Sequence, residues 1–215
     1  MLFETFALPE NEQITDRHRP RKTSDFVGLP DLKKLAVSLA LKPYSSYYIF
    51  RGNSGVGKTT FAVVMAGEIG AQIHHIRSQD CTVDTLERTY RNCHSIPANG
   101  KRFHLVLIDE ADLMSKASRD SLLSMTDGTR NAPNTIIVLT TNDEEKFEPR
   151  LSSRFMTFNF STQGMQKDAA KMLKRVWELE APVGAEVPSF AEIIKTSNTN
   201  IRAALMVLQA KLAIA

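Results

Sequence analysis

Apolar residues recur along this chain in two rhythms, and their alternation sets out the expected elements. Residues 103–108 (FHLVLI) and 134–142 (NTIIVLTTN) are nearly unbroken apolar runs. Such runs are expected of strands buried on both faces of a parallel sheet. Residues 45–50, 71–77 and 155–160 supply three further strand candidates. Between them the spacing turns helical. Leu32, Leu35, Ala36 and Leu39 mark a helix over 31–41, and 58–69 reads as a helix with Gly70 just past its end. Residues 83–93 and 116–126 follow the same rhythm. Strand and helix in alternation predict a doubly wound α/β fold around a five-stranded parallel sheet. After Phe160 the strand rhythm stops. Helices are expected over 163–179, with Ala170, Leu173, Val176 and Trp177 on one stripe, over 189–196 and over 199–214. The expected organisation is therefore an α/β domain over 1–161, opening with an irregular arm that carries Pro9, Pro20 and Pro30, and a small all-helical domain over 162–215.

The joint between the first strand and its helix carries the clearest chemistry. Gly52-Asn53-Ser54-Gly55-Val56-Gly57-Lys58-Thr59 fits the phosphate-binding pattern G-x-x-x-x-G-K-[ST], with Thr60 next. Its glycines let the backbone form a cup of inward N–H groups, and the cup opens onto a helix N-terminus that favours an anion. In that setting Lys58 offers a point charge to the β- and γ-phosphates, and Thr59 offers a hydroxyl to Mg2+. The expected ligand is thus ATP with magnesium.

Two further strand ends fit the same site. The run LVLIDEAD puts Asp109 and Glu110 at the carboxyl end of a buried strand. Asp109 suits the metal and Glu110 suits a general base for an attacking water. The strand VLTTN ends at Asn142, where an amide is placed to orient a water beside a phosphate.

Composition adds little to this picture. The chain has 215 residues and a formal net charge of +3, which permits a polyphosphate or nucleic-acid partner without demanding one. Its cysteines, Cys81 and Cys93, fit no zinc spacing and are too few for a disulfide framework, so both read as reduced thiols of a cytoplasmic protein. No apolar run reaches the length of a membrane span, and the first residues do not read as a signal peptide.

Taken in order, these motifs resemble the AAA+ ATPases, and within them the clamp-loader branch in its phage-type form, over residues 17–213. RHRPRKTSDFVG (17–28) looks like the family's opening box, GNSGVGKTT its Walker A, VLIDEAD its Walker B and TTN its sensor 1. SQDCTVD (78–84) is similar to a phage clamp-loader segment, LSSRF to the arginine-finger motif and NTNIRAAL to the sensor 2 helix. The resemblance implies that Arg19, Pro20, Val27 and Gly28 lie along the adenine. It implies that Arg154 acts as a finger in a neighbouring subunit's site, and that Arg202 is the cis arginine near the γ-phosphate. It further implies ATP hydrolysis completed within a homo- or hetero-oligomer, a sliding clamp and primer–template DNA as partners, and a cytoplasmic location (a host's, if the source is viral).

The sequence also departs from the family. No residues are left after the helical domain for a collar domain. The helix after Walker B has Arg119, Leu123 and Ser124 where the family commonly has glutamine and two arginines, and Phe155 replaces the cysteine after the finger. Lys116, Arg119, Arg88 and Arg91 read first as solvated helix faces and second as DNA-phosphate contacts. Two other functions stay open: a branch-migration motor, and a nucleotide-dependent assembly scaffold with little turnover.

Overall fold

The structure is a computed structural model that describes residues 12–98, 100–128, 132–143, 147–161 and 164–215. Residues 21–161 form one compact unit; the other joins 164–215 with the arm residues 12–20.

The larger unit begins with a 3-10 turn, Thr23–Asp25, and helix α2 (Pro30–Leu41), which follows the one-turn helix α1 (Ile14–Arg17) of the other unit. Strand β1 (Ser46–Arg51), α3 (Lys58–Ile69), β2 (Ala71–Arg77), α4 (Val83–Cys93), β3 (Phe103–Asp109), α5 (Lys116–Met125), β4 (Thr135–Thr141), α6 (Pro149–Ser152) and β5 (Met156–Asn159) complete it. Among the described residues the strands form one parallel sheet in the order β2-β3-β4-β1-β5. The expected five-stranded doubly wound sheet is what the chain builds.

Side chains alternate across a strand, so each buried strand feeds two cores. Tyr48, Phe50, Leu105, Leu107, Ile136 and Val138 pack with α2 and α3 on one face. Ile49, Val106, Ile108, Ile137 and Leu139 pack with α4 and α5 on the other. Covering both faces is why β3 and β4 read as continuous apolar runs. Phe61 of α3 anchors the first core, with its ring against those of Phe26, Phe50 and Phe160 at centroid distances of 4.9, 5.9 and 5.8 Å. Burying one such ring is worth about 1.5–3 kcal/mol, enough to hold α3, and hence the loop that precedes it, on the sheet.

The helical unit comprises α7 (Gln166–Glu180), α8 (Phe190–Thr196) and α9 (Ile201–Leu212), together with α1. On α7 the buried stripe is Ala169, Leu173, Val176 and Trp177. Ala169, four residues before Leu173, takes the place expected of Ala170, which is half-buried: the spacing 169, 173, 176 and 177 follows one helix face. The arm grouping also differs from the expected one. Ile14 is fully buried, Arg17 Nη1 lies 2.8 Å from Glu180 Oε2, and His18 Nε2 lies 2.7 Å from Glu180 Oε1. Ile14, whose helix packs on α9, and the Glu180 carboxylate of α7 thus tie residues 12–20 to the helical unit.

Candidate nucleotide and metal site

Three carboxyl strand ends, of β1, β4 and β3, lie side by side in the sheet, and open parallel sheets bind ligands at that edge. The chain leaves β1 through residues 52–57 and enters α3 at Lys58. Two glycines make this turn possible. Gly57 has φ +97° as the residue capping α3, and a Cβ there would sit 3.1 Å from the Phe26 ring. Gly52 has φ +155°, and a Cβ there would lie 2.8 Å from the Phe160 carbonyl oxygen. Gly52→Ala is therefore expected to lower stability by about 1–3 kcal/mol through overpacking against backbone, a loss that denaturant unfolding would measure.

Lys58 is buried, at 8 % exposure. Its Nζ donates to Gly52 O at 2.6 Å, Asn53 O at 2.9 Å and Asn142 Oδ1 at 2.9 Å. The lysine thereby joins the loop to the end of β4. Thr59 Oγ donates to Asp109 Oδ1 at 2.6 Å, so the hydroxyl and the carboxylate singled out as metal ligands meet between the first turn of α3 and the end of β3. Thr140 Oγ donates to the same oxygen at 2.5 Å, and His75 Nε2 lies 3.8 Å from Asp109 Oδ2.

Glu110 is exposed and has φ +53°, a left-handed conformation that costs a non-glycine residue roughly 1–2 kcal/mol. Its N–H donates to Thr140 Oγ at 3.0 Å. Thr140 thus fixes both acidic residues, holding Asp109 by its carboxylate and Glu110 by its backbone. Asp112, buried in the following 3-10 turn, accepts from Thr141 Oγ at 3.0 Å and from Asn142 N at 3.3 Å, which sets the end of β4. Sequence reasoning did not single out Thr140 or His75. The threonines of TTN were a signal for Thr140; His75 had none, because only the β2–β3 pairing brings it near Asp109.

The opening segment is pinned beside this turn. Thr23 donates its N–H and hydroxyl to the Glu68 carboxylate of α3 at 2.8 and 2.7 Å, and Phe26 packs on Phe61 and Gly57. Val27 and Gly28 follow, both half-buried. Arg19 and Pro20 fall in the helical unit, where Arg19 Nη2 reaches Asp16 Oδ1 at 2.8 Å; Arg202 is exposed on α9.

Arg154 stands apart from the phosphate loop. Its Nη1 donates to Leu123 O at 2.5 Å and to Thr126 Oγ at 3.4 Å, at the carboxyl end of α5. It precedes β5, whose Asn159 pairs with Arg51. At about 3.3 Å per residue, Arg154 lies roughly 15–20 Å along the strand direction from the level of Gly52, on the opposite edge of the sheet. Arg119 is half-buried and donates to Met114 O at 2.7 Å, whereas Lys116, Arg88 and Arg91 are exposed.

The residues present fit a magnesium–triphosphate group. Lys58 is a buried cation ringed by oxygen acceptors, Thr59 and Asp109 form a hard oxygen pair of the kind Mg2+ prefers, and the turn has no room for added side-chain atoms at Gly52.

Fold and site together define a P-loop nucleotide-binding protein. Residues 48–162 match the ATPase family associated with various cellular activities, and the chain belongs to this AAA family. It is similar to the replication factor C large subunit of Thermococcus kodakarensis, 28% identical over 205 residues covering 90% of this chain and 39% of that protein. Replication factor C subunit 3 of Blastobotrys adeninivorans is 27% identical over 218 residues, covering 96% of this chain and 62% of that protein. The chain thus spans less than two thirds of either relative. Among solved structures, the Thermotoga maritima RuvB Holliday junction branch migration motor superposes with a TM-score of 0.70 at 22% identity, covering 89% of this chain and 64% of that one. Among the described residues no helix is long and apolar enough to cross a membrane.

Proposed function

We propose that this chain is the ATP-hydrolysing subunit of a DNA replication clamp loader, working in an oligomer that opens a ring-shaped sliding clamp and places it on primer–template DNA. The observation that carries the reading is the meeting of Lys58, Thr59, Asp109 and Asn142 at one sheet edge. Similarity to replication factor C subunits over 90% or more of the chain supports the clamp-loader role. The phage-type assignment, with its host-cytoplasm setting, rests on residues 78–84.

Bound ATP–magnesium supplies the phosphoryl group and a divalent charge on its oxygens. The chain's residues do the rest. Thr59 and Asp109 hold the ion, and the Thr140 hydroxyl keeps Asp109 oriented. Lys58 exchanges the carbonyls of Gly52 and Asn53 for phosphate oxygens. Glu110 accepts the proton of the attacking water, which Asn142 orients. The remaining loop residues, from Asn53 to Thr60, line the phosphates with backbone N–H groups. The roles of Arg19, Pro20, Val27, Gly28, Arg154 and Arg202 given by the family resemblance are part of this proposal.

Glu110→Gln is expected to lower turnover by about 10²–10⁴-fold and to leave ATP binding intact, as single-turnover and binding assays would show. The function itself is tested by ATPase rates with primed DNA and a sliding clamp. Joint stimulation by both supports the proposal. The fold shared with a branch-migration motor favours a second reading, which stimulation by branched DNA alone would select. ATP-driven assembly with negligible turnover under every condition would select a scaffold.

A further inference from the structure

We propose that His74, Cys93 and His104 form a transition-metal site of the zinc class, separate from the nucleotide site. The three residues come from three elements: edge strand β2, the last residue of α4, and β3. Their ligand atoms all lie within 4.8 Å of one another. His104 and Cys93 are each 2 % exposed, and His74 is half-buried, which leaves an approach for an ion. The cluster lies in the core face beneath α4. Five residue steps along β3 lead from His104 to Asp109, roughly 16 Å of strand.

Hydrogen bonding has already set the ligand tautomer. His104 Nε2 lies 2.9 Å from Ser95 O, a carbonyl that can only accept, so Nε2 carries the proton. The Nδ1 lone pair then points at His74 Nε2, 2.9 Å away. An imidazole whose outer N–H is held by a backbone carbonyl is the usual supporting arrangement of a metal-bound histidine. Zinc bonds of about 2.0–2.1 Å to nitrogen and 2.3 Å to sulfur need tetrahedral N···N and N···S separations of roughly 3.3 and 3.6 Å. The His74–His104 pair has only to open by a few tenths of an ångström.

The proton balance is simple. Burial and the neighbouring His104 lower the pKa of His74, so its ring is ready as a neutral ligand once its proton moves to Nδ1. Burial pushes the Cys93 thiol up to about 11, so the thiol is neutral near pH 7 and loses its proton when the S–metal bond forms. One proton is released to solvent per ion bound, and nothing is oxidised or reduced. Two imidazoles and a thiolate suit zinc(II), with a water as the fourth ligand. The ion would fasten the end of α4 to edge strand β2.

The test is cobalt(II) titration of the chelator-treated full chain, without nucleotide. One equivalent is expected to give thiolate-to-cobalt absorption in the near ultraviolet and intense tetrahedral bands in the visible, both removed by zinc(II). The oxygen-rich Asp109 site produces no thiolate band. Cys93→Ser and His74→Gln are both expected to lose the signal and to bind ATP as the parent does. Half-buried His74 is the second variant, should the buried serine prevent folding. Absence of the thiolate band in the parent overturns the proposal, as does a band that survives in Cys93→Ser or in folded His74→Gln.

Discussion

Lys58→Ala is expected to weaken ATP binding by about 10- to 100-fold, because each hydrogen bond to a charged partner is worth about 1.5–3 kcal/mol. The same change removes the donor now shared by Gly52 O, Asn53 O and Asn142 Oδ1. Leaving these acceptors without their donor costs about 1–3 kcal/mol of stability. Both losses are measurable on one preparation, binding by fluorescent ATP displacement and stability by thermal unfolding. If the substituted protein unfolds early but still binds ATP as tightly as the parent when kept cold, the lysine serves only to hold the loop.

Arg154→Ala is expected to cut turnover by about 10³–10⁵-fold, the range for an arginine finger, with ATP affinity unchanged. Arg154 sits at the amino end of β5 and is tied to the carboxyl end of α5, a favourable place for a cation. It lies on the sheet edge opposite its own phosphate loop. That placement supports the proposed role of Arg154 in a second chain's site. Mixing Arg154→Ala chains with Lys58→Ala chains is expected to restore part of the turnover that neither has alone, since one supplies an intact loop and the other an intact finger. Turnover by Arg154→Ala alone, at the parent's rate, would remove the finger from the account.

Most of the sheet was legible in the sequence because burial on both faces writes an unbroken apolar run, as in Leu105 to Ile108 and Ile136 to Leu139. The loop was legible because phosphate binding restricts its residues to glycine, lysine and threonine at fixed positions. One-turn helices such as α1 and α6 were not, since four residues carry no periodicity. Proline spacing says nothing of Ile14's burial or of the Glu180 carboxylate that holds Arg17 and His18, so the grouping of residues 12–20 with the helical unit was not legible. The TTN motif marks the position of Thr140 but not its partners. The worth of Thr140 lies in the register of β3 against β4, which brings one hydroxyl to both Asp109 and Glu110. The cluster of His74, Cys93 and His104 shows the same limit more strongly. Its members are far apart in sequence and meet only through parallel pairing of β2 with β3 and the packing of α4 over them.

The central claim is that a magnesium-bound triphosphate rests on the turn from β1 into α3, with Thr59 and Asp109 on the metal. Calorimetric titration of ATP into the purified chain, with and without Mg2+, tests it most directly. One ATP per chain, bound markedly more tightly when Mg2+ is present, is the predicted result. No binding at millimolar ATP in the presence of Mg2+ would contradict it.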